Sequence, residues 1–345
     1  MYANFQQGKM TARLLITHAS VARMIASKGG YDLLPDGAVL IEGERIAWVG
    51  PTAEALTHKA AENVEHLDAA GRVLTPALID CHTHIVHGGN RAREFEMRLE
   101  GASYEEVARA GGGIISTVKA TCDTGEDTLL AQALRRVDAL MAEGVGVIEV
   151  KSGYGLDQEA ELKMLRVARR LGAHRSVRIV TSFLGAHAVP PDMAADAYID
   201  DVCIPALKAA HAAGLVDAVD GFCEGIAFNS TQIGRVFDVA QSLGLPLKLH
   251  AEQLSHLGGT RLAAGYGAKS VDHVEYAEEA DAAAMAAAGS VAVLLPGAFY
   301  TLHETQKPPV AAFRSHGVPM AVATDWNPGS SPMGSLLLAM NMACT

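Results

Sequence analysis

Two hydrophobic patterns divide the chain near residue 74. From about Leu14 to Val73, short apolar or alternating runs joined by turns predict β-strands, with a tight turn at Glu42-Gly43-Glu44. From Leu74 onward, apolar runs alternate with longer stretches of helical periodicity. We therefore predict a small β domain over residues 1–73 and a larger domain over residues 74–345.

The larger domain contains eight β-like runs separated by helical segments. The runs lie near 74–80, 146–151, 178–183, 218–222, 246–250, 270–273, 291–295 and 319–324. Helical periodicity is clearest over 127–143, 158–171, 192–213, 230–243 and 278–288. Strands and helices that alternate in this way predict an α/β fold, a (β/α)8 TIM-like barrel.

Composition narrows the class of partner. Of the 345 residues, 49% are hydrophobic and 19% are charged, and the formal net charge is −11. A nucleic-acid-binding surface normally carries an excess of Lys and Arg. We therefore expect no nucleic-acid partner and favour a small-molecule substrate.

The cysteines and the lengths of the apolar runs bear on location. The five cysteines are scattered and include no C-x-x-C pair, so they do not suggest a disulfide framework. No apolar run approaches transmembrane length, and residues 1–9 lack the basic start and apolar core of a signal peptide. We expect a cytoplasmic protein with no membrane partner.

A pair of histidines follows the first barrel strand. His82 and His84 come directly after the first apolar run, and residues two apart in an extended strand point to the same side. They can therefore offer two imidazoles to one metal ion. The same spacing also arises by chance on polar strand faces, so the pair alone is only moderately specific.

Three later runs end in related chemistry. His250, with Glu252 two residues on, ends the fifth run, His273 ends the sixth, and Asp325 follows the eighth. A (β/α)8 barrel carries its functional groups at the C-terminal ends of its strands. We expect these side chains to converge with the histidine pair on one site.

These elements together resemble the amidohydrolase superfamily of metal-dependent hydrolases. Members with two metal ions usually carry a carboxylated Lys after strand four. The fourth run here, in residues 217–224, has no Lys, and Lys151 follows strand two. The resemblance therefore implies a single metal ion.

Longer strings resemble one family within that superfamily, the imidazolonepropionases. They lie at 88–91, 104, 110–114, 149–155, 183–187, 250–253 and 324–330. That family hydrolyses the cyclic amide of 4-imidazolone-5-propanoate to N-formimino-L-glutamate by attack of metal-activated water, in the third step of histidine degradation. The resemblance implies that reaction and a homodimer here. It also implies a small β-sandwich domain that a C-terminal segment, absent from the sequence up to Thr345, would complete.

The resemblance implies a role for each residue at the strand ends. The metal ligands are His82, His84, His250 and Asp325, a His3Asp set that suits Zn²⁺ as well as iron, Fe²⁺ or Fe³⁺.

Proton transfer falls to Glu252, His273 and Asp325, and the general base remains open among the three. For Glu252 the alternative is a solvated loop carboxylate, and for His273 it is a supporting structural role.

The substrate carries a propanoate arm, which a guanidinium fork binds well. Arg91, in the long polar loop after the first strand, is the natural partner for that carboxylate. The resemblance implies further contacts from Tyr154, His187 and Gln253 around the ring, and from Asn327, Gly329 and Ser330 after strand eight. Tyr104 is another candidate contact, with packing of its loop as the alternative.

Two other functions are compatible with part of this pattern. A related single-metal enzyme that deaminates a nucleobase would use the same ligands but would not need Arg91. A barrel that kept the fold only for subunit assembly would be expected to lose metal ligands, and all four are present in the sequence.

Overall fold

The computed structural model of the chain describes residues 13–25, 28, 30–57, 62–101 and 112–344. It divides into two compact units, Met1–Ala77 and Leu78–Thr345. The division falls four residues after the boundary drawn from the sequence. In the described ranges, every helix is too short or too polar to cross a bilayer.

The first unit is built on one mixed β-sheet. Its strands are β1 (Arg13–Ala22), β2 (Leu33–Glu42), β3 (Arg45–Pro51), β4 (Glu65–Asp68) and β5 (Val73–Leu74), with one short helix, α1 (Thr52–Thr57). The sheet order is β3-β2-β1-β4, and β5 pairs with β1. The predicted tight turn joins β2 to β3 as a hairpin, with Gly43 in the left-handed region at φ 60°. In the described part of this unit the strands form a single sheet, and the second sheet of the expected sandwich is not among them.

The second unit is the predicted barrel. Its strands are β6 (Leu78–Asp80), β7 (Val145–Lys151), β8 (Arg178–Ala186), β9 (Ala218–Cys223), β10 (Lys248–Ala251), β11 (Ser270–His273), β12 (Val291–Leu294) and β13 (Met320–Val322). Each strand pairs in parallel with the next along the chain. All eight predicted runs form strands, so the (β/α)8 prediction is confirmed.

Contacts between the ends of β6 and β13 close the barrel. The Asp325 N–H donates to the His82 carbonyl and the His84 N–H donates to the Trp326 carbonyl, each at 3.0 Å. Below them, Thr324 donates to the buried Asp80 carboxylate from its N–H at 3.1 Å and from its hydroxyl at 2.7 Å. This seam places the two histidines of the first strand directly beside the aspartate of the last.

Helices cover the outside of the barrel. They are α2 (Ala92–Leu99), α3 (Ile114–Asp123), α4 (Glu126–Ala142), α5 (Gln158–His174), α6 (Ala195–Tyr198), α7 (Ile204–Ala212), α8 (Ser230–Ser242), α9 (Gly259–Gly265), α10 (Glu279–Ala288), α11 (Pro296–Thr301), α12 (Val310–His316) and α13 (Leu336–Met342). On α4, the buried residues Leu129, Ala133, Val137 and Leu140 recur at helical spacing. They pack with residues of β7 in one continuous apolar cluster.

The helix predicted over 192–213 is interrupted. A π-helical turn, Ile199–Cys203, separates α6 from α7. Pro205 lies at the start of α7, where its ring has no N–H to donate and would crowd the carbonyl four residues earlier. Widening the preceding turn relieves that conflict, which hydrophobic periodicity alone does not reveal.

The seam gives a prediction about stability. We expect Thr324→Val to lower the free energy of unfolding of the metal-free protein by about 1–3 kcal/mol, because one buried Asp80 oxygen loses its hydroxyl donor. Denaturation in urea measures the effect. The control is Thr305→Val in an exposed loop of the same unit, which should change stability by less than about 0.5 kcal/mol. Equal effects of the two substitutions would contradict the proposed role of the seam.

Candidate metal centre

Three histidines from two strand ends meet inside the mouth of the barrel. Ligand nitrogens of His82, His84 and His250 all lie within 4.8 Å of one another. Nε2 of His84 is 3.3 Å from Nε2 of His82 and 3.5 Å from Nε2 of His250. Two ligands about 2.1 Å from a tetrahedral ion are about 3.4 Å apart, so these spacings fit a zinc-like ion.

Asp325 joins the three histidines across the barrel seam. Its Oδ1 lies 3.4 Å from Nε2 of His82 and 3.3 Å from Nε2 of His84. The side chain is buried, and burial raises the pKa of its carboxyl to about 6. The structure thus brings together all four residues that were predicted as metal ligands.

Two aspartates behind the histidines set their tautomers. Nδ1 of His82 lies 2.6 Å from Oδ2 of Asp272, and Nδ1 of His250 lies 3.1 Å from Oδ1 of Asp220. A carboxylate accepts the Nδ1 proton, so each Nε2 presents a lone pair toward the centre. Lone pairs and a carboxylate oxygen that converge at 3.3–3.5 Å repel one another unless a cation lies between them. The donor set therefore fits a metal ion.

The histidines are held in the neutral form that ligation requires. Burial lowers the pKa of His84 to about 3 and that of His82 well below its ordinary value. Electrostatic repulsion from the positive charge of Lys151 is the second largest cause for both histidines. Burial also lowers the pKa of His250, against the opposing effect of Asp220. Neutral imidazoles at physiological pH need lose no proton before they bind a metal ion.

Five charged side chains from four strands form a buried charge layer beneath the histidines. The layer consists of Glu149, Lys151, Asp220, Lys248 and Asp272.

Each lysine in this layer is held by carboxylates. The Lys151 ammonium lies 2.7 Å from both Glu149 and Asp220, and the Lys248 ammonium lies 3.2 Å from Glu149 and 3.3 Å from Asp272. Burial alone would lower the pKa of Lys248, but Asp272 and Glu149 raise it well above its ordinary value. Lys248 therefore stays charged, and the two lysines together keep the two histidine-binding aspartates in place.

The backbone turns sharply at three of the predicted site residues. Glu252, His273 and Asp325 have φ values of 50°, 81° and 51°, in the left-handed region that residues with a Cβ seldom occupy. Such positions cost roughly 1–3 kcal/mol each and persist where surrounding contacts fix them. All three lie at or just after a strand end, where the chain leaves the barrel.

His273 lies beside the cluster without joining the three histidines. Its ring centroid is 5.5 Å from that of His250 and 5.8 Å from that of His82. Burial lowers its pKa to about 4. Nδ1 has no hydrogen-bond partner among the described residues, and the nearest carboxylate oxygen, of Glu275, is 4.0 Å away.

The Glu252 carboxylate makes its hydrogen bonds with residues 257–260, and not with the histidine cluster. Oε1 accepts from the N–H groups of Leu257 and Gly259, at 3.2 and 2.9 Å. Oε2 accepts from the N–H of Thr260 at 2.8 Å and from the Thr260 hydroxyl. The side chain is fully buried, so it is not the solvated loop carboxylate of the alternative interpretation. It holds the start of α9 against the end of β10.

Two of the residues predicted around the substrate ring form a wall next to the histidines. The ring of His187 stacks on that of His84 with centroids 5.4 Å apart, and Tyr154 lies 5.3 Å from His187 and 5.8 Å from His84. His187 donates from Nδ1 to the Gly153 carbonyl at 2.9 Å. A Cβ on Gly153 would come within 2.9 Å of that nitrogen, so the close approach requires glycine.

Gln253, the third predicted ring contact, is buried beyond Glu252. Its N–H donates to Oε1 of Glu224 at 2.8 Å, which fixes the backbone of the loop.

Arg91 lines a cavity of about 340 Å³ that His87 also lines, and the His87 ring centroid is 6.4 Å from that of Tyr154 in the wall. Its Nε and Nη2 lie 2.8 and 2.7 Å from Oε2 of Glu94, so a protein carboxylate occupies one edge of the guanidinium. Gly329 lies against the guanidinium, since a Cβ there would be 2.0 Å from Nη1. Arg91 and Gly329, predicted from separate loops, therefore meet.

Asn327 and Ser330 organise the loop after β13. The side-chain oxygen of Asn327, Oδ1, accepts from the N–H groups of Gly329 and Ser330 at 2.8 and 2.7 Å. The side-chain nitrogen, Nδ2, donates to the Asp325 carbonyl at 2.7 Å and to the Ser330 hydroxyl at 2.9 Å. Asn327 also lines the cavity with Arg91. Tyr104, the remaining predicted contact, lies outside the described residues.

Sequence reasoning missed the residues that support the site. None of the buried charge layer was assigned a role there, although charged residues inside predicted barrel strands are a usable signal, because a buried charge needs a partner. Glu94 and Arg136, which also line the cavity, were missed for a different reason: nothing in the pattern of a helix shows which neighbour it faces.

Comparison with known proteins gives one consistent family. A family model described as an imidazolonepropionase-like composite domain of bacteria matches residues 37–57. Imidazolonepropionase of Ruegeria pomeroyi is 68% identical over 96% of this chain and 82% of its own length. Those of Roseobacter denitrificans and Rhizobium meliloti are 66% and 60% identical, over 96% and 95% of this chain and 83% and 79% of their own lengths.

Solved structures share the fold at low sequence identity. A guanine deaminase from C. acetobutylicum with bound guanine aligns with TM-score 0.68 and 11% identity, over 96% of this chain and 78% of its own. An adenosine deaminase from Xanthomonas campestris with bound Zn aligns with TM-score 0.63 and 18% identity, over 96% and 73%. These likenesses support the barrel.

The buried charge layer predicts a large effect of a single substitution. We expect Lys151→Met to lower the free energy of unfolding by about 3–5 kcal/mol, because Asp220 then lies buried without a lysine partner and Glu149 keeps only Lys248. Urea denaturation measures the loss. Arg175→Met, which removes a surface pair with Asp138, is the control and should cost less than about 1 kcal/mol. The role of the layer is contradicted if Lys151→Met is no more damaging than its control.

Proposed function

The chain belongs to the imidazolonepropionase family, and from that membership we propose that it hydrolyses 4-imidazolone-5-propanoate to N-formimino-L-glutamate. The bond broken is the cyclic amide C–N bond, and the reaction is the third step of histidine degradation. The observation that carries the proposal is the convergence of four metal-ligand side chains at the barrel mouth in a chain this similar to imidazolonepropionases.

We propose that His82, His84, His250 and Asp325 hold one metal ion, either zinc or iron. Three imidazoles and a carboxylate suit both metals. A single ion is favoured because β9, the fourth barrel strand, carries no Lys, and Lys151 on β7 is held in ion pairs with Glu149 and Asp220. A bound divalent ion would act as a Lewis acid and make hydroxide available near neutral pH.

The chain's own residues account for the movement of protons. A water oxygen bonds to the ring carbonyl carbon, and the proton it loses passes to the Asp325 carboxylate. The C–N bond then breaks, and the ring nitrogen takes up a proton. Asp325 supplies that proton by returning the one it accepted from the water, so the protons balance.

His273 and Glu252 support that transfer in different ways. His273 is neutral and buried beside the cluster, so it is suited to orienting the water through a hydrogen bond. Glu252 uses both oxygens to hold residues 257–260, and we assign it to positioning the end of β10.

Substrate recognition involves residues that line the cavity and residues of the neighbouring wall. The guanidinium of Arg91 meets the propanoate carboxylate, and Tyr154, His187 and Gln253 enclose the ring. Asn327, Gly329 and Ser330 shape the loop that packs against Arg91. Glu94 competes for the same guanidinium, which keeps Arg91 oriented before substrate arrives.

Family membership further leads us to propose a cytoplasmic homodimer. Five free cysteines are compatible with a reducing compartment. Light scattering coupled to size exclusion tests the assembly: a mass near twice the 36.2 kDa of one chain is expected.

The reaction predicts a metal-dependent loss of absorbance. We expect metal-loaded protein to consume 4-imidazolone-5-propanoate, as followed by its ultraviolet absorbance. His250→Ala should reduce the rate at least about 100-fold, since one ligand is lost. Chelation should abolish turnover, and restoring Zn²⁺ or Fe²⁺ separately identifies the working metal. Undiminished turnover in His250→Ala, or none in folded, metal-loaded wild type, would overturn the proposal.

Arg91 provides a second test, directed at substrate binding. Arg91→Ala should raise KM about 10-fold to 100-fold with a smaller change in kcat, because the interaction lost is a charge-assisted hydrogen bond to a carboxylate distant from the reacting bond. Arg93→Ala, exposed on the helix that begins directly after Arg91, is the matched control and should behave as wild type. A KM unchanged in Arg91→Ala would remove Arg91 from the substrate site.

A further inference from the structure

A second guanidinium lines the cavity that contains Arg91. Arg136 lies on the inner part of α4, and its Nη1 donates to the carbonyls of Ile85 at 2.7 Å and His87 at 3.3 Å. Its Nε and Nη2 have no hydrogen-bond partner in the part of the chain that the structure describes. Among those residues, no carboxylate lies within 4.0 Å of it.

The two arginines therefore differ in how their charge is balanced. Arg91 is paired with Glu94, and the hydroxyl of Ser116 donates to the other Glu94 oxygen at 3.0 Å. Arg136 has only neutral carbonyl partners. Among the described residues, the charged ones that line the cavity are Arg91, Glu94 and Arg136. The cavity therefore carries one uncompensated positive charge at neutral pH.

The surroundings make that charge costly in the absence of an anion. Arg136 is partly buried, and burial lowers its pKa to about 10, which still leaves it protonated at neutral pH. A partly desolvated cation without a counter-ion favours binding of an anion that restores the balance.

The two hydrogen bonds of Arg136 also tie it to the chain segment that contains His84. Its two carbonyl partners, Ile85 and His87, lie one and three residues beyond His84. Tyr154 lies between the two regions, with its ring centroid 5.8 Å from that of His84 and 6.4 Å from that of His87. One short loop thus carries metal ligands at one end and holds a cation at the other.

We infer that Arg136 is a second carboxylate-recognising residue, which binds the propanoate arm together with Arg91 and makes the site selective for anionic substrates. The inference rests on the proposed function and deepens it. Nη1 stays on the backbone carbonyls, while Nε and Nη2 offer one edge of the guanidinium, the geometry that suits a carboxylate.

Arg136 could instead serve only to tie α4 to the loop after β6. That role would not distinguish a charged ligand from a neutral one of the same shape. The test therefore compares imidazole-4-propanoate with imidazole-4-propanamide as ligands of the metal-loaded protein, by titration calorimetry. Turnover of 4-imidazolone-5-propanoate is measured in parallel.

Arg136→Gln keeps donors for the two carbonyls but removes the charge. We expect it to weaken binding of the propanoate about 10-fold to 100-fold and to change binding of the propanamide less than about 2-fold. Arg136→Lys should lie between wild type and Arg136→Gln. Arg135→Gln, the exposed neighbour on the same helix, should match wild type for both ligands.

Other outcomes overturn the inference. Equal weakening of both ligands, or none, assigns Arg136 to the helix-to-loop contact alone. If Arg136→Gln does not fold, Arg136→Lys decides, because an unchanged preference for the propanoate over the propanamide would count against the charged contact.

A further outcome separates the inference from the proposed reaction. If the wild-type protein prefers the propanoate, Arg136→Gln lacks that preference, and the wild-type protein does not turn over the imidazolone, then the proposed reaction fails and anion recognition stands.

Discussion

Two lysines buried among three carboxylates hold the histidines of the site in position. Each buried ion loses several kcal/mol of hydration free energy, so the layer is stable only if every charge has a partner at close range. The closed barrel meets that condition because β7, β9, β10 and β11 point alternate side chains inward. Lys151 and Lys248 fix Asp220 and Asp272, and these in turn fix His250 and His82. The metal centre thus depends on an ionic arrangement that lies beneath it.

The site has two ends with different chemistry. At the barrel mouth, neutral imidazoles and a buried aspartate converge at spacings that suit one metal ion. In the adjoining cavity, guanidinium groups face a volume of about 340 Å³. The loop after β6 links the two, since it carries His82 and His84 and supplies the carbonyls that hold Arg136. A small heterocycle with an anionic arm matches this division.

The strands and the convergence of the four candidate metal ligands were predictable from the sequence, and the supporting contacts were not. A repeated alternation of apolar runs and helices predicts the barrel, and barrel geometry then brings strand ends together. The hydrogen bonds of Glu252 to residues 257–260 could not be foreseen, because a carboxylate two residues after His250 can turn toward the site or toward a helix start. Arg136 was missed because α4 presents it across a loop distant in sequence. The π-helical turn before Pro205 reflects a local steric conflict that periodicity does not record.

The identity of the product tests the central claim most directly. Metal-loaded protein is incubated with 4-imidazolone-5-propanoate, and N-formimino-L-glutamate and ammonia are both quantified by NMR and enzymatic assay. Hydrolysis of the cyclic amide predicts one equivalent of N-formimino-L-glutamate for each substrate consumed and no ammonia above the uncatalysed background. Release of ammonia in step with substrate loss, or no product from folded and metal-loaded protein, would contradict the assignment.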